Sequence, residues 1–329
     1  MGDLATNLPM YYGLAGKAVK EKGRYICRTN TGYGKIFRTT ESPRAIHKQY
    51  AMLEQLAANG FDQLDRIFLS AQGLPYISLG RETYVMTRHI PGRDIDLDNA
   101  DDVKMVLQSL ARFHKAARGL NFEPSLAPSP APVLSDTWKK HLAELKQFLK
   151  QINRSPKLSD FDLLFIKNAP FYLSQAAAAI DALETTDYEQ QQRHAISRGF
   201  ICHNELKEEN LSIMDETCHI ARITDATFDL QLTDLAGFIR RYARRSQKEI
   251  PIHGLLEIYH DINPLDSAAT TIVHAQLIYP VQFTKIIRQH YSKKRNWTPA
   301  AITSRINALL EQQADYDKYV NQLWDGEDG

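Results

Sequence analysis

Cysteine is scarce in these 329 residues, and the three present, Cys27, Cys202 and Cys218, are irregularly spaced. An odd, sparse set excludes a disulfide framework and fits a reducing compartment. The pairs Cys202-His203 and Cys218-His219 are not at the intervals of a zinc site, so the cysteines read as buried thiols. Long apolar runs are missing too: none approaches the roughly 18 residues of a membrane-spanning helix, so no membrane partner is expected. The start, MGDLATNLPMYYG, has neither the basic opening nor the apolar middle of a secretory signal. Nor is there an excess of charge. Forty Lys and Arg stand against 39 Asp and Glu, a formal net charge of +1 that gives no argument for nucleic acid as a partner. What is there, 43% hydrophobic and 24% charged residues, is the make-up of a globular chain with room for about two domains of roughly 100–200 residues each.

The front of the chain is β-rich. GRYICRTNTGYGKIFRTT (23–40) reads as two strands around a turn holding Asn30, Gly32 and Gly34. Ser42-Pro43 then opens a helix to about Ala58, with Ile46, Tyr50, Leu53 and Leu56 at helical spacing and Gly60 as its stop. Short strands follow, the last at Tyr84–Thr87, before Pro91-Gly92. From Asn99 the texture is helical: Val103, Val106, Leu107, Leu110, Ala111, Phe113 and His114 lie on one amphipathic face. The Pro-rich EPSLAPSPAPVLS (123–135) is a surface connection. Helices are expected over 136–149, 162–183 and from Thr233 onward, with a short strand pair at about 211–223.

One stretch carries chemistry. ICHNELKEENLSI (201–213) sets His203, an acid at Glu205 and Asn210 in the frame H-x-D-x-x-x-x-N of a phosphotransferase loop. Phosphoryl transfer needs a cation on the phosphates, a carboxylate to take the acceptor's proton, and ligands for Mg²⁺. As a bare pattern the frame is weak. Its place after an apolar run, in a chain with a β-rich front and a helical back, makes it more specific.

That stretch, with FDLQLTDLAGFIRRY (228–242) behind it, resembles the CotS-type bacterial spore coat proteins, which in turn resemble aminoglycoside phosphotransferases and choline kinases. RTNTGYGKIFR, YVMTRHIPGRDIDL, LARFHKAARGL, FDLLFIKNAPFYLSQAAAAIDAL and AQLIYPVQFTKIIRQHY resemble successive parts of that fold, in order, over residues 10–323. The resemblance implies an α+β, two-lobed kinase-like fold. Its small β-rich lobe would be residues 1–90, and its mostly helical lobe, carrying the loop, residues 91–329.

Carried over position by position, the resemblance puts Glu205 where the catalytic base stands. Its extra methylene displaces the carboxylate by about 1.5 Å, a shift that can cost about a hundredfold. Asn210 matches the metal-ligand position. The second metal ligand falls on Arg222 when spacing is kept, or on Asp225 with a gap, and a cation there would repel Mg²⁺. Arg38 stands for the phosphate-binding Lys, Gln49 for its Glu partner, and Tyr84, Val85 and Met86 edge the adenine pocket. Four departures together imply a coat-associated protein that is structural or interaction-mediating, with no cofactor. The alternative is an active phosphotransferase using ATP and Mg²⁺ on a small alcohol or a protein hydroxyl. The resemblance further implies synthesis in the mother-cell cytoplasm, assembly into the coat without a signal peptide, and other coat proteins as partners.

Three further expectations concern the helical part. Asp234 is expected to cap the helix beginning DLAGFIRR, whose buried stripe is Leu235, Phe238, Ile239 and Tyr242. Arg240, Arg241, Arg244, Arg245 and Lys248 are expected on a solvated face. HYSKKRNW (290–297) reads as a helix end with cations near its negative pole.

Overall fold

The computed structural model of the protein describes residues 4–15, 17–21, 24–30, 32–246, 250–292 and 298–322. Most of HYSKKRNW, residues 293–297, lies outside them, as does Lys248. The chain forms two compact units, residues 1–129 with 197–228, and residues 130–196 with 229–329. This division follows contacts and is a different one from lobes of 1–90 and 91–329.

In the first unit, β1 (Val19–Glu21), β2 (Arg24–Thr29), β3 (Gly32–Thr39), β4 (Ile77–Leu79) and β5 (Glu82–His89) make one antiparallel sheet in the order β1-β2-β3-β5-β4. The β2–β3 hairpin is the one the sequence predicts, with Cys27 opposite Gly34 and Thr29 opposite Gly32. Both faces of this sheet are covered. Ile36, Cys27 and Met86 pack beneath Leu8 and Tyr12 of the N-terminal turn. Met86 fills the space over Gly34, where a Cβ would come within 2.0 Å of its Cε, so any other residue there requires the Met86 side chain to move. On the other face lies α1 (Pro43–Ala58), with Ile46, Met52, Leu53 and Leu56 buried. Its first turn is closed by the Ser42 hydroxyl accepting from Ala45 N, with Pro43 just inside, where a missing N–H costs nothing.

Beyond β5 come β6 (Arg93–Asp94) and α2 (Ala100–Ala116), tied together by Asp102, whose buried carboxylate accepts from both terminal nitrogens of Arg93 at 2.6 Å. Such bidentate pairs are the strong, orienting kind. The same unit holds β7 (Ile201–Cys202), β8 (Leu211–Met214), β9 (Thr217–Ile220) and β10 (Thr227–Phe228), paired as β6-β8-β9 and β10-β7. The Ser109 hydroxyl on α2 donates to Cys218 O at 2.6 Å, fixing the helix on β9. Cys27, Cys202 and Cys218 are free and buried. His114 is buried beside Phe113, in the packing role its spacing suggests.

The second unit is helical: α3 (Leu134–Ile152), α4 (Asp160–Glu184), α5 (Tyr188–Ser197), α6 (Leu232–Arg245), α7 (Ile252–His260), α8 (Ala269–Ile278), α9 (Val281–Tyr291), α10 (Pro299–Glu311) and α11 (Gln313–Asn321). A reciprocal capping box between Ser159 and Asp162 starts α4. The core of the unit joins Leu145 of α3, Phe161, Phe165 and Tyr172 of α4, Phe283 and Ile287 of α9, and Ile306 of α10. Tyr172 stacks on Phe283 with centroids 3.8 Å apart.

Two expectations about α6 are corrected. The helix starts at Leu232 behind Gln231, which makes no side-chain cap. Asp234 is buried inside the first turn and is not the N-cap residue; a negative charge at that place suits the positive helix end. The arginine face is solvated only in part: Arg245 is exposed, while Arg240, Arg241 and Arg244 are half-buried. Arg240 donates to Gln276 O on α8, and the Arg244 guanidinium lies 3.9 Å over the Tyr316 ring of α11. Helices flank α6 on that side, and the long arginine stems bury against them.

Candidate functional site

Strand alternation decides which cation of GYGKIFR faces inward. Lys35, Phe37 and Thr39 of β3, with Val85 and Thr87 of β5, line a cavity of about 530 Å³. Ile46, Gln49 and Leu53 of α1 close it, together with Arg222, Ile223 and Thr224. Lys35 reaches Asp65 at 3.9 Å, and Arg222 N donates to Asp65 Oδ1 at 3.4 Å. Burial opposes both charges of this pair. The Asp65 carboxyl is pushed up to about 6 by desolvation, against the pull of Lys35. The Lys35 ammonium is held below its usual range, by desolvation first and then by Arg24 and Arg222.

A measurable consequence follows for stability. With a folded-state value raised from 3.8 to about 6, the folded protein keeps a proton that the unfolded chain has lost. This group therefore makes folding less favourable as pH rises from about 4 to about 6, by on the order of 3 kcal/mol at most, and its effect is level above that. The melting temperature of Asp65→Asn relative to the native chain should rise across that window and stay constant from about pH 7 to 8. An unchanging difference between pH 4 and 6 would contradict the assignment.

The loop after β7 is tightly fixed. Glu205 N donates to His203 Nδ1 at 3.1 Å, so that nitrogen carries no proton and Nε2–H donates to Ala221 O at 3.0 Å. Asn204, in the left-handed region at φ 66°, donates to Asp225 O and Thr227 Oγ1, both at 2.9 Å. The Asn210 amide donates to Glu205 O at 2.8 Å, while its Oδ1 is buried with no hydrogen-bond partner. The Glu205 carboxylate is paired with Lys207 at 2.7 Å. Lys207 first, and then Arg222 and Asp225, hold it below the usual carboxyl range, which weakens it as a base.

Glu205, Asn210 and Asp225 are thus brought together, with the Asp225 carboxyl within hydrogen-bonding reach of Glu205. Arg222 acts on two sides, bordering the cavity and lowering Glu205. Val85 and Gln49 line the cavity. Tyr84 and Met86 project from the opposite face of β5, where Met86 is in the sheet core and the Tyr84 hydroxyl donates to Glu82. Arg38 borders the cavity, but its guanidinium is exposed and paired with Glu82 at 2.7 Å. Lys35 and Asp65 were not among the residues singled out from sequence. Sequence offers Lys35 and Arg38 on β3 without choosing between them, and an acid within FDQLDRIFL is the faint trace of Asp65.

The profile of the family described as "Spore coat putative kinase YutH" matches residues 5–323. The chain belongs to that family. Two named relatives are similar at low identity. Endospore coat-associated protein YutH of Bacillus subtilis is 25% identical over 215 residues, 64% of this chain and 61% of that protein. Spore coat protein S of the same organism is 21% identical over 245 residues, 73% of this chain and 70% of that protein. The matched stretch is therefore less than two thirds of the first relative's length. Among solved structures, an aminoglycoside phosphotransferase from Alicyclobacillus acidocaldarius superposes with a TM-score of 0.80 at 17% identity, covering 96% of this chain and 94% of that one. A spectinomycin phosphotransferase bound to AMP gives 0.62 at 12% identity over 98% of each chain. A microcompartment-associated aminopropanol kinase gives 0.59 at 12% identity, over 97% of this chain and 98% of that one. These likenesses establish the kinase-like α+β fold for this YutH-family chain.

A kinase fold implies a divalent ion, and the donors of this YutH-family chain fit one poorly. Asn210 Oδ1 is an open ligand atom. Of the two neighbouring carboxylates, however, Glu205 is already matched by Lys207 and lies in the field of Arg222. Among the described residues no three His, Cys, Asp or Glu side chains cluster as metal ligands.

Proposed function

We propose that this chain is a spore coat-associated protein of an endospore-forming bacterium that acts by binding rather than by phosphoryl transfer. It is made in the mother-cell cytoplasm and assembles with other coat proteins. The names of the two Bacillus subtilis relatives, a coat-associated protein and a coat protein, support the coat assignment. The single observation behind the non-catalytic part is Arg222, whose guanidinium acts on Lys35, Asp65 and Glu205 at once. A cation there occupies the electrostatic role of the metal and weakens the base. No cofactor is assigned on this reading. Among the described residues no helix is long and apolar enough to cross a membrane, and the balanced charge favours no nucleic acid.

The test is incubation of the purified chain with Mg²⁺ and labelled ATP, offering small alcohols and coat proteins as acceptors. No steady transfer is expected. Transfer that disappears in Glu205→Ala would overturn the reading. One atom favours the second reading, an active ATP-dependent phosphotransferase: the orphaned Asn210 Oδ1 suits a metal ligand. There Glu205 would be the base and Asn210 with Asp225 the Mg²⁺ ligands, and the same assay decides.

A further inference from the structure

The outer side of α4 is short of charge. Helices α3, α8 and α10 pack against it, and Phe165, Ala169, Tyr172 and Ala176 are buried. The opposite stripe, Leu163, Lys167, Ser174, Ala178 and Asp181, recurs at helical spacing and is exposed throughout. Between Lys167 and Asp181 the sequence NAPFYLSQAAAAI holds no charged residue over about 20 Å of helix. A solvated face is built differently: neighbouring α3 turns Lys139, Lys140, Lys146 and Lys150 to water. On α4, Leu163 is 53% and Phe171 49% exposed. The Phe171 ring stands edge-on to Tyr172 at 5.2 Å, so it is already held in place. Exposed apolar surface of this kind marks a place where another molecule packs.

The order of charges along the stripe selects the occupant. Lys167 and Asp181 lie at equal distances on either side of Ser174, and among the described residues neither makes an ion pair within the chain. A second α4 running antiparallel, about a two-fold axis at Ser174, sets each Lys167 opposite the partner's Asp181. A parallel copy would set lysine on lysine. Helical side chains lean toward the helix N-terminus, which carries the Phe171 ring over the partner's Ala178, a residue small enough to receive it.

We propose that the occupant is a second copy of this chain, the exposed faces of two α4 helices packing antiparallel in an isologous dimer. Phe171 is its apolar anchor, and Lys167 pairs with Asp181 across the axis. One helix pair covers less than the roughly 1,200 Å² at which stable interfaces begin, so the dimer is weak, with a Kd on the order of 10–100 µM. At low micromolar concentration the chain is a monomer and Phe171 is a surface residue. The inference goes beyond the coat-associated reading and does not depend on whether the chain transfers phosphate.

The experiment is sedimentation equilibrium of the whole chain from about 5 to about 500 µM, a span around that constant. A monomer passing into a dimer is expected. Lys167→Asp and Asp181→Lys each set like charges opposite one another, and each alone should weaken association about tenfold or more. Mixed in equal amounts, the two variants should associate again, because each then meets the opposite charge on the other. Phe171→Ala should weaken the dimer about tenfold, with its melting curve at low concentration unchanged. A chain that stays monomeric throughout leaves the face to a different protein and overturns the proposal. A dimer that the charge variants leave intact sits on another surface and overturns it too. A mixture that fails to associate refutes the antiparallel register. None of these results alters the ATP transfer assay, so the two readings fail separately.

Discussion

With alanine at position 283, the helical unit should lose about 3–5 kcal/mol of stability, a large part of what a domain of this size holds. Phe283 is 1% exposed, stacks on Tyr172 at 3.8 Å and leans on Phe165 at 5.9 Å. Its loss opens a void between α4 and α9 that stiff neighbouring helices cannot collapse to fill. No polar group is left unpaired, so the loss measures packing alone. Phe171 is the internal comparison: it is one residue from Tyr172 on the same helix but 49% exposed. Phe171→Ala should stay within about 0.5 kcal/mol of the native chain. Denaturant unfolding of the two variants provides the check, and equal shifts would refute the packing assignment.

Gly199→Ala should cost about 2–4 kcal/mol, more than a surface loop substitution normally does. Two penalties coincide there. Gly199 sits at φ 66°, which an L side chain resists, and a Cβ would stand 2.7 Å from Leu120 O, a backbone atom rather than a yielding side chain. The neighbourhood cannot shift freely. Gly119 N donates to Arg198 O and Ile201 N to Ala117 O, stitching the approach to β7 onto the end of α2. Gly237→Ala is the opposite case: its Cβ would meet open space within α6. There the substitution should stabilise by up to about 1 kcal/mol. Thermal melts of both variants should move in opposite directions, and a Gly199→Ala melt equal to native would show that the loop relaxes.

The elements marked by local chemistry were legible in the sequence. Ser42-Pro43 and Gly60 bracket α1, the Asn30–Gly32 turn sets the β2–β3 register, and the apolar stripe from Val103 to Phe113 gives α2. The inward cation was not legible, for a definite reason. A strand covered on one face shows which side is buried, but β3 is covered on both, so Ile36 and Phe37 are both apolar and the pattern does not choose between Lys35 and Arg38. Asp65 escaped because its partner is 30 positions away, and nothing local distinguishes it from a surface acid. Arg240 and Arg244 of α6 were misread for a related reason, whereas Arg245 is exposed as expected. Charge suggests solvent, while arginine's hydrocarbon stem lets a helix surrounded by others bury most of the side chain.

The sheet-bearing unit is assembled from two stretches separated by 130–196, and this orders events during synthesis. When residue 129 leaves the ribosome, α2 has no β9 to receive Ser109, and Gln63 lacks Ile220. At about 5–20 residues per second, that nascent half waits roughly 5–20 s for its closing strands. All the while, the intervening helices emerge ahead of α6, which belongs to their own unit.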